Sequence, residues 1–163
     1  MNISKSGFDS LCHDAGQLLD VLEPEALSQG EPFVLQDVKC RLHFSEPRSS
    51  AFLRYELGDP EPDCEADALR QLLEIQTALF GMLDAAFGHD PVDDSLFFMV
   101  RLQLPDNLPA QAFAQAVSQF ALQVRQWRDH VLVGKLIDYE REFEKMFPAS
   151  AGSLQEPGRG AVA

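Results

Sequence analysis

Hydrophobic positions along the chain change period several times, and each change marks an element. From Ser6 to Leu22, Phe8, Leu11, Cys12, Ala15, Leu19 and Leu22 recur at three- and four-residue steps. At about 100° per residue they share one helical face, while Asp9, His13, Asp14, Gln17 and Asp20 occupy the other. Ser6 with Asp9 three residues later resembles a capping box, Asp standing for the usual Glu or Gln. Pro24 ends this helix, and EPEALSQGEP reads as a loop. Phe33 to Phe44 is extended: Val38, Cys40, Leu42 and Phe44 alternate with Lys39, Arg41 and His43, the period of a half-buried strand. Asp37 marks a turn that cuts off a short strand before it. SEPRSS is a turn signal, and alternation resumes from Ala51 to Leu57. There Leu53, Tyr55 and Leu57 share one face, and Phe52 joins Arg54 and Glu56 on the other. GDPEPDCEAD is an acidic, Pro-rich linker.

The stretch Ala66–Pro105 organises the rest. A helix runs to about Phe80, where Gly81 stops it. Ala68, Leu69, Leu72, Leu73, Ile75, Leu79, Phe80, Met82 and Leu83 span about half its circumference, wider than the roughly 100° stripe one packing surface needs. Such a helix touches its own sheet and something else, and an isologous mate is the simplest second neighbour. Leu69, Leu73 and Phe80 lie on one flank and are the predicted dimer contacts, together with Phe97 and Met99 on the second face of the following strand. The other reading buries this helix wholly inside its own domain. Met82 to His89 leaves the helix for a strand, and Asp90 to Asp94 is a turn. Leu96, Phe98, Val100, Leu102 and Leu104 form one face of the next strand. Phe97 and Met99 make its other face apolar too, so both faces are expected to be covered at its start.

A last large helix starts near Pro109 or Ala110, with Phe113, Ala116, Val117, Phe120, Ala121, Val124 and Trp127 on one face. Beyond Gly134, Leu136, Tyr139, Phe143 and Met146 recur helically on a stripe rotated by about a quarter turn, which predicts a kink or a new helix. The expected organisation is an α+β domain over residues 1–132, a C-terminal helical extension over 133–147 and a mobile tail over 148–163.

Formal net charge is −13, from 26 acidic and 13 basic side chains. That disfavours nucleic acid and anionic membrane surfaces as partners. No apolar run reaches the roughly 18 residues of a membrane helix, and MNISKSGFDS has no signal-peptide character, so the chain is expected to remain in the cytoplasm. Cys12, Cys40 and Cys64 are an odd number without framework spacing, as suits a reducing compartment. Catalytic signatures are missing: the chain has no GxSxG, GxxxxGK, GxGxxG or HExxH. Cys40 and His43 have C-x-x-H spacing and Cys12 adjoins His13, yet a zinc site needs about four convergent ligands. The pairs His13–Asp14 and His89–Asp90, and the acids Glu61, Asp63, Asp93 and Asp94, read as solvated surface. No catalytic residue, metal or cofactor is expected.

LLEIQTALFGMLDAAFGHDPVDDSLFFMVRLQLPDNLPAQAFAQAVSQFALQVRQWRDHV resembles the specialised, CesT-like (class I) type III secretion chaperones. Leu72, Leu73, Glu74, Gly88, Asp90, Pro91, Leu102, Trp127 and Arg128 carry the resemblance, which covers about Phe8 to Leu132. It implies a twisted antiparallel sheet with three main helices in α-β-β-β-α-β-β-α order. It also implies a non-enzymatic homodimer that holds the N-terminal region of a secreted effector in an extended, secretion-competent state. By that resemblance the effector is expected on the first helix and early strands. Phe33, Leu35 and Phe52 are the candidate contacts, because each is read as lying off the alternating core face. A non-enzymatic adaptor for a folded partner is the alternative reading.

Overall fold

The computed structural model describes residues 3–138 and Arg141. Its elements run α1 (Lys5–Leu18), α2 (Glu25–Gln29), β1 (Phe33–Leu35), β2 (Val38–Ser45), β3 (Ser50–Gly58), α3 (Glu65–Leu79), β4 (Ala85–Asp90), β5 (Ser95–Gln103) and α4 (Ala110–His130). The expected α+β order is present, with one short helix added. All five strands form one antiparallel sheet in the order β1-β2-β3-β5-β4.

The β1–β2 hairpin closes through Gln36 and Asp37, both in the left-handed region at φ 52° and 61°. Two such residues make the turn whose twist matches paired strands. Register then follows: Leu35 faces Val38 and Phe33 faces Cys40. Strands β2 and β3 pair from Cys40 with Tyr55 to Ser45 with Ser50, and β3 pairs with β5 through Leu53 with Val100 and Tyr55 with Phe98.

Alternation places Val38, Cys40, Leu42, Leu53, Tyr55, Leu57, Phe98 and Val100 on one face, all at or near zero exposure. Helices α1 and α4 cover this face. The Tyr55 hydroxyl donates to the Val117 carbonyl of α4 at 3.0 Å, which satisfies a phenol buried under the helix. Trp127 meets Phe87 and Phe98 edge-on at 5.0 and 5.1 Å between ring centroids, and Phe87 lies 5.1 Å from Phe98. Edge-to-face geometry of this kind adds to plain area burial. On the other side of the core, Phe8 of α1 stacks on Phe44 at 4.3 Å.

Several expectations need correction. Helix α1 begins one residue before Ser6, and its cap is Ser4, whose hydroxyl accepts from Gly7 N–H at 3.2 Å. It ends at Leu18 rather than Leu22. The backbone enters the left-handed region at Asp20 (φ 54°), and Leu22 is fully exposed. The stretch read as a loop contains α2, whose Ala26 and Leu27 are buried. Five residues are too few to display a helical period. The first half of β5 is not covered on both faces, since Met99 is exposed and Phe97 half-buried. Past α4, a tight turn at Val131–Val133 leads to Gly134 at φ 73°, and residues 135–138 are not helical. Most of the expected helical extension over 133–147, and the tail over 148–163, lie outside the described residues. The junction itself is held: Glu61 N–H donates to the Leu132 carbonyl at 2.8 Å, and the Gln71 amide reaches the Ile137 carbonyl at 3.4 Å.

Trp127→Ala removes the ring that joins α4 to β4 and β5. It is expected to lower unfolding free energy by about 3–5 kcal/mol, read as a reduced urea midpoint at unchanged slope.

Candidate functional site

The second face of the sheet is left open by the described residues. Its side chains fall in rows set by the register. One row is His43, Phe52 and Arg101; the next is Arg41, Arg54, Met99 and Ala86. A third runs through Glu56, Phe97 and Gly88, with Lys39 reaching Glu56 at 2.8 Å. Apolar and cationic groups are therefore interleaved. The Arg54 guanidinium lies over the Phe97 ring at 4.3 Å and pairs with Asp90 at 2.5 Å. Phe97 in turn lies flat on Gly88, where an added Cβ would stand 2.3 Å from the ring.

Helix α3 sits at the β4 edge, where Gln76 Oε1 accepts from Phe87 N–H at 2.8 Å. Its buried stripe is Ala68, Gln71, Leu72, Ile75 and Leu79. Going round the helix from that stripe past Gln76, the next flank carries Leu69, Leu73 and Phe80, exposed by 37%, 63% and 88%. This flank thus emerges beyond the β4 edge, on the side away from the core.

A third feature is the outer edge of β1 and β2. Strand β1 has three residues and pairs only with Val38 to Cys40. Leu35 and Val38 flank a two-residue turn, so they exchange backbone hydrogen bonds, and the same edge of β2 is presented again at Leu42 and Phe44. Past the end of β1 those groups have no strand partner: Leu42 is 1% exposed with its carbonyl against Gly30, and Phe44 is half-buried. A groove of about 550 Å³ lies there, lined by Lys5, Asp9, Ser28, Gln29, Gly30 and the stretch Leu42–Phe44. Val34, at 63% exposure, turns its own backbone groups outward on the adjoining edge.

Reactive chemistry does not converge on these surfaces. Cys40 is on the core face and His43 on the open face, so their C-x-x-H spacing brings no ligands together. Burial pushes the Cys12 thiol up to about 12, with a smaller push from Asp9. Burial does the same to Cys40, also to about 12. Desolvation likewise holds the Tyr55 hydroxyl well above its ordinary value. Asp90 is held below the usual carboxylate value by hydrogen bonds, first from Arg54 and then from Val92 N–H. His13 lies near Gln17 and Glu25, and His89 contacts Asp94 at 3.0 Å, both on exposed surface. Among the described residues no group of three or more His, Cys, Asp or Glu side chains is placed to hold a metal ion. No described helix is long and apolar enough to cross a membrane.

The residues singled out from sequence sort into two groups. None of Leu69, Leu73, Phe80, Phe97 and Met99 is buried: the first three lie on one flank of α3, and the last two on the open face of β5. Phe52 is half-buried on the open face, as its parity indicates. Phe33 and Leu35 are corrected: they are 5% and 8% exposed and belong to the core. The two-residue turn sets them opposite Cys40 and Val38, which carries their odd-numbered parity onto the even-numbered core face. Sequence reading did not find the free edge at Leu42 and Phe44 or the juxtaposed Arg41 and Arg54. The second was detectable once β2 and β3 were aligned on their turn.

Comparison with known proteins places this geometry. The model of the Tir chaperone protein (CesT) family matches residues 17–128. No curated protein matches the chain. Among solved structures, the crystal structure of the ExsC–ExsE complex holds a chain superposable with TM-score 0.60 at 15% identity, covering 79% of this chain and 96% of that one. The HopA1–SchA chaperone–effector complex gives TM-score 0.56 at 14% identity, covering 79% and 98%. At these identities the likeness is one of fold.

The thiols report directly on this packing. In native protein near pH 8 a disulfide reagent is expected to titrate Cys64 alone, and in denaturant all three cysteines. Rapid native labelling at Cys12 or Cys40 would contradict the burial described.

Proposed function

The chain belongs to the Tir chaperone protein (CesT) family, and from that premise we propose that it is a cytoplasmic chaperone of type III secretion. As a homodimer it holds the N-terminal region of a secreted effector in an extended, secretion-competent state. The observation that carries this reading is the half-covered edge of the sheet. An extended segment laid in the groove beside α1 and α2 would run along β2 at Phe44, past the end of β1, where its backbone can add to the sheet. Backbone pairing supplies affinity with little demand on sequence, which suits a client kept unfolded. Phe52 is the side-chain contact retained from the sequence reading. Phe33 and Leu35 support the edge from beneath. The HopA1–SchA structure is itself a chaperone–effector complex, and the same class of partner is proposed for this chain.

The homodimer is supported by the apolar surface at Leu69, Leu73, Phe80, Phe97 and Met99. On this reading the five residues gather into one patch, the kind of surface that marks an interaction site. Its place on one helix flank and the neighbouring strand allows a self-complementary, two-fold contact.

Four measurements test the proposal. Light scattering of purified protein is expected to give a mass near twice 18.2 kDa; a stable monomer at high concentration would remove the homodimer. Leu73→Glu is expected to shift dimer toward monomer or insoluble material, and a soluble dimer in that variant would exclude this flank. Affinity capture is expected to recover one secreted protein through its N-terminal region. Val34→Pro removes an outward amide and leaves the inward ladder of β1 intact. It is expected to weaken client capture by about tenfold without dissociating the dimer. Recovery only of a folded domain would favour an adaptor.

A further inference from the structure

Arg41 stands directly opposite Arg54 on the open face. Like charges facing each other across two strands destabilise a sheet. The neighbouring row resolves the same situation with opposite charges, Lys39 against Glu56. Arg54 turns away to Asp90 and the Phe97 ring. Arg41 is exposed, and among the described residues it pairs with no carboxylate. The chain carries two acidic side chains for each basic one, and a carboxylate at position 41 would relieve the like-charge pair across β2 and β3. A notch of about 70 Å³, with room for roughly two water-sized groups, is lined by Lys39, Arg41, Arg54, Glu56, Asp90 and Asp93. Of these anions Glu56 and Asp90 are already paired. Phe52, in the neighbouring row, adds half-buried apolar surface beside the arginines.

We infer that the open face of β2 and β3 docks a client segment in which acidic and apolar residues alternate, with a carboxylate held by Arg41 and an apolar side chain on Phe52. This inference rests on the client-holding reading and adds the chemistry of the client. Side chains on one face of an extended segment recur about every 7 Å, comparable to the spacing of successive rows on the sheet. The net charge of the chain opposes approach of an anion, but at physiological salt that repulsion fades beyond about 8 Å. Selection therefore acts at contact range, where Arg41 is the nearest charge.

The test uses a fluorescein-labelled peptide of roughly ten residues, about one long strand, alternating valine and glutamate, and its valine–lysine counterpart. The glutamate peptide is expected to bind the full-length chain saturably and at least about tenfold more tightly than the lysine peptide. Arg41→Glu should weaken it by at least about tenfold, and Arg41→Lys should retain most binding. Arg41→Glu places opposite charges across β2 and β3, so its melting temperature should be equal or higher, which separates lost binding from misfolding. No saturable binding of the glutamate peptide, equal binding of the lysine peptide, or full binding by Arg41→Glu would each overturn the inference. Those results would leave client capture itself standing, because that is read from the secreted protein recovered with the chain.

Discussion

Trp127 wedged edge-on against Phe87 and Phe98 fixes the last helix to the last two strands. The rest of the architecture follows from that contact. With α4 and α1 occupying the core face, α3 is left at the β4 edge. There it can bury only the stripe from Ala68 to Leu79. Among the described residues its other apolar side chains are not buried, and the opposite face of the sheet is left open. One aromatic cluster thus determines where the protein is closed and where it is open.

The exposed surfaces differ in what they offer. The α3 flank presents large apolar side chains, which are costly to leave in water at roughly 25 cal/mol per Å². The outer edge of β2 at Phe44 presents backbone groups, which water can satisfy when the edge is unoccupied. A permanent contact suits the first and a reversible one the second. The open face, where cations are interleaved with Phe52, Phe97 and Met99, can discriminate among side chains in a way that backbone pairing cannot.

Much of this was legible in sequence where period and length were both generous. Alternation from Val38 to Phe44 and from Ala51 to Leu57 defined β2 and β3, and the wide stripe on α3 anticipated that Leu69, Leu73 and Phe80 would lie apart from the core. What failed has a physical cause in each case. Leu19 and Leu22 continue the helical spacing of α1 although Asp20 has already reversed the chain, because spacing does not record backbone conformation. Helix α2 is shorter than the window in which a period can be seen. Phe33 and Leu35 were put on the wrong face because a two-residue turn couples opposite parities. The free edge of β2 depends on β1 stopping after three residues, a matter of relative strand length that no single strand encodes.

Gly88 shows how an omission can shape a surface. The Phe97 ring lies where the side chain of residue 88 would stand, and the Arg54 guanidinium lies over the same ring. The topography of the β4–β5 face is therefore set by one missing carbon atom. A methyl group there would lift the ring and tilt the guanidinium above it. It would redraw the relief presented to any neighbour while leaving the core face of the same strands unaltered.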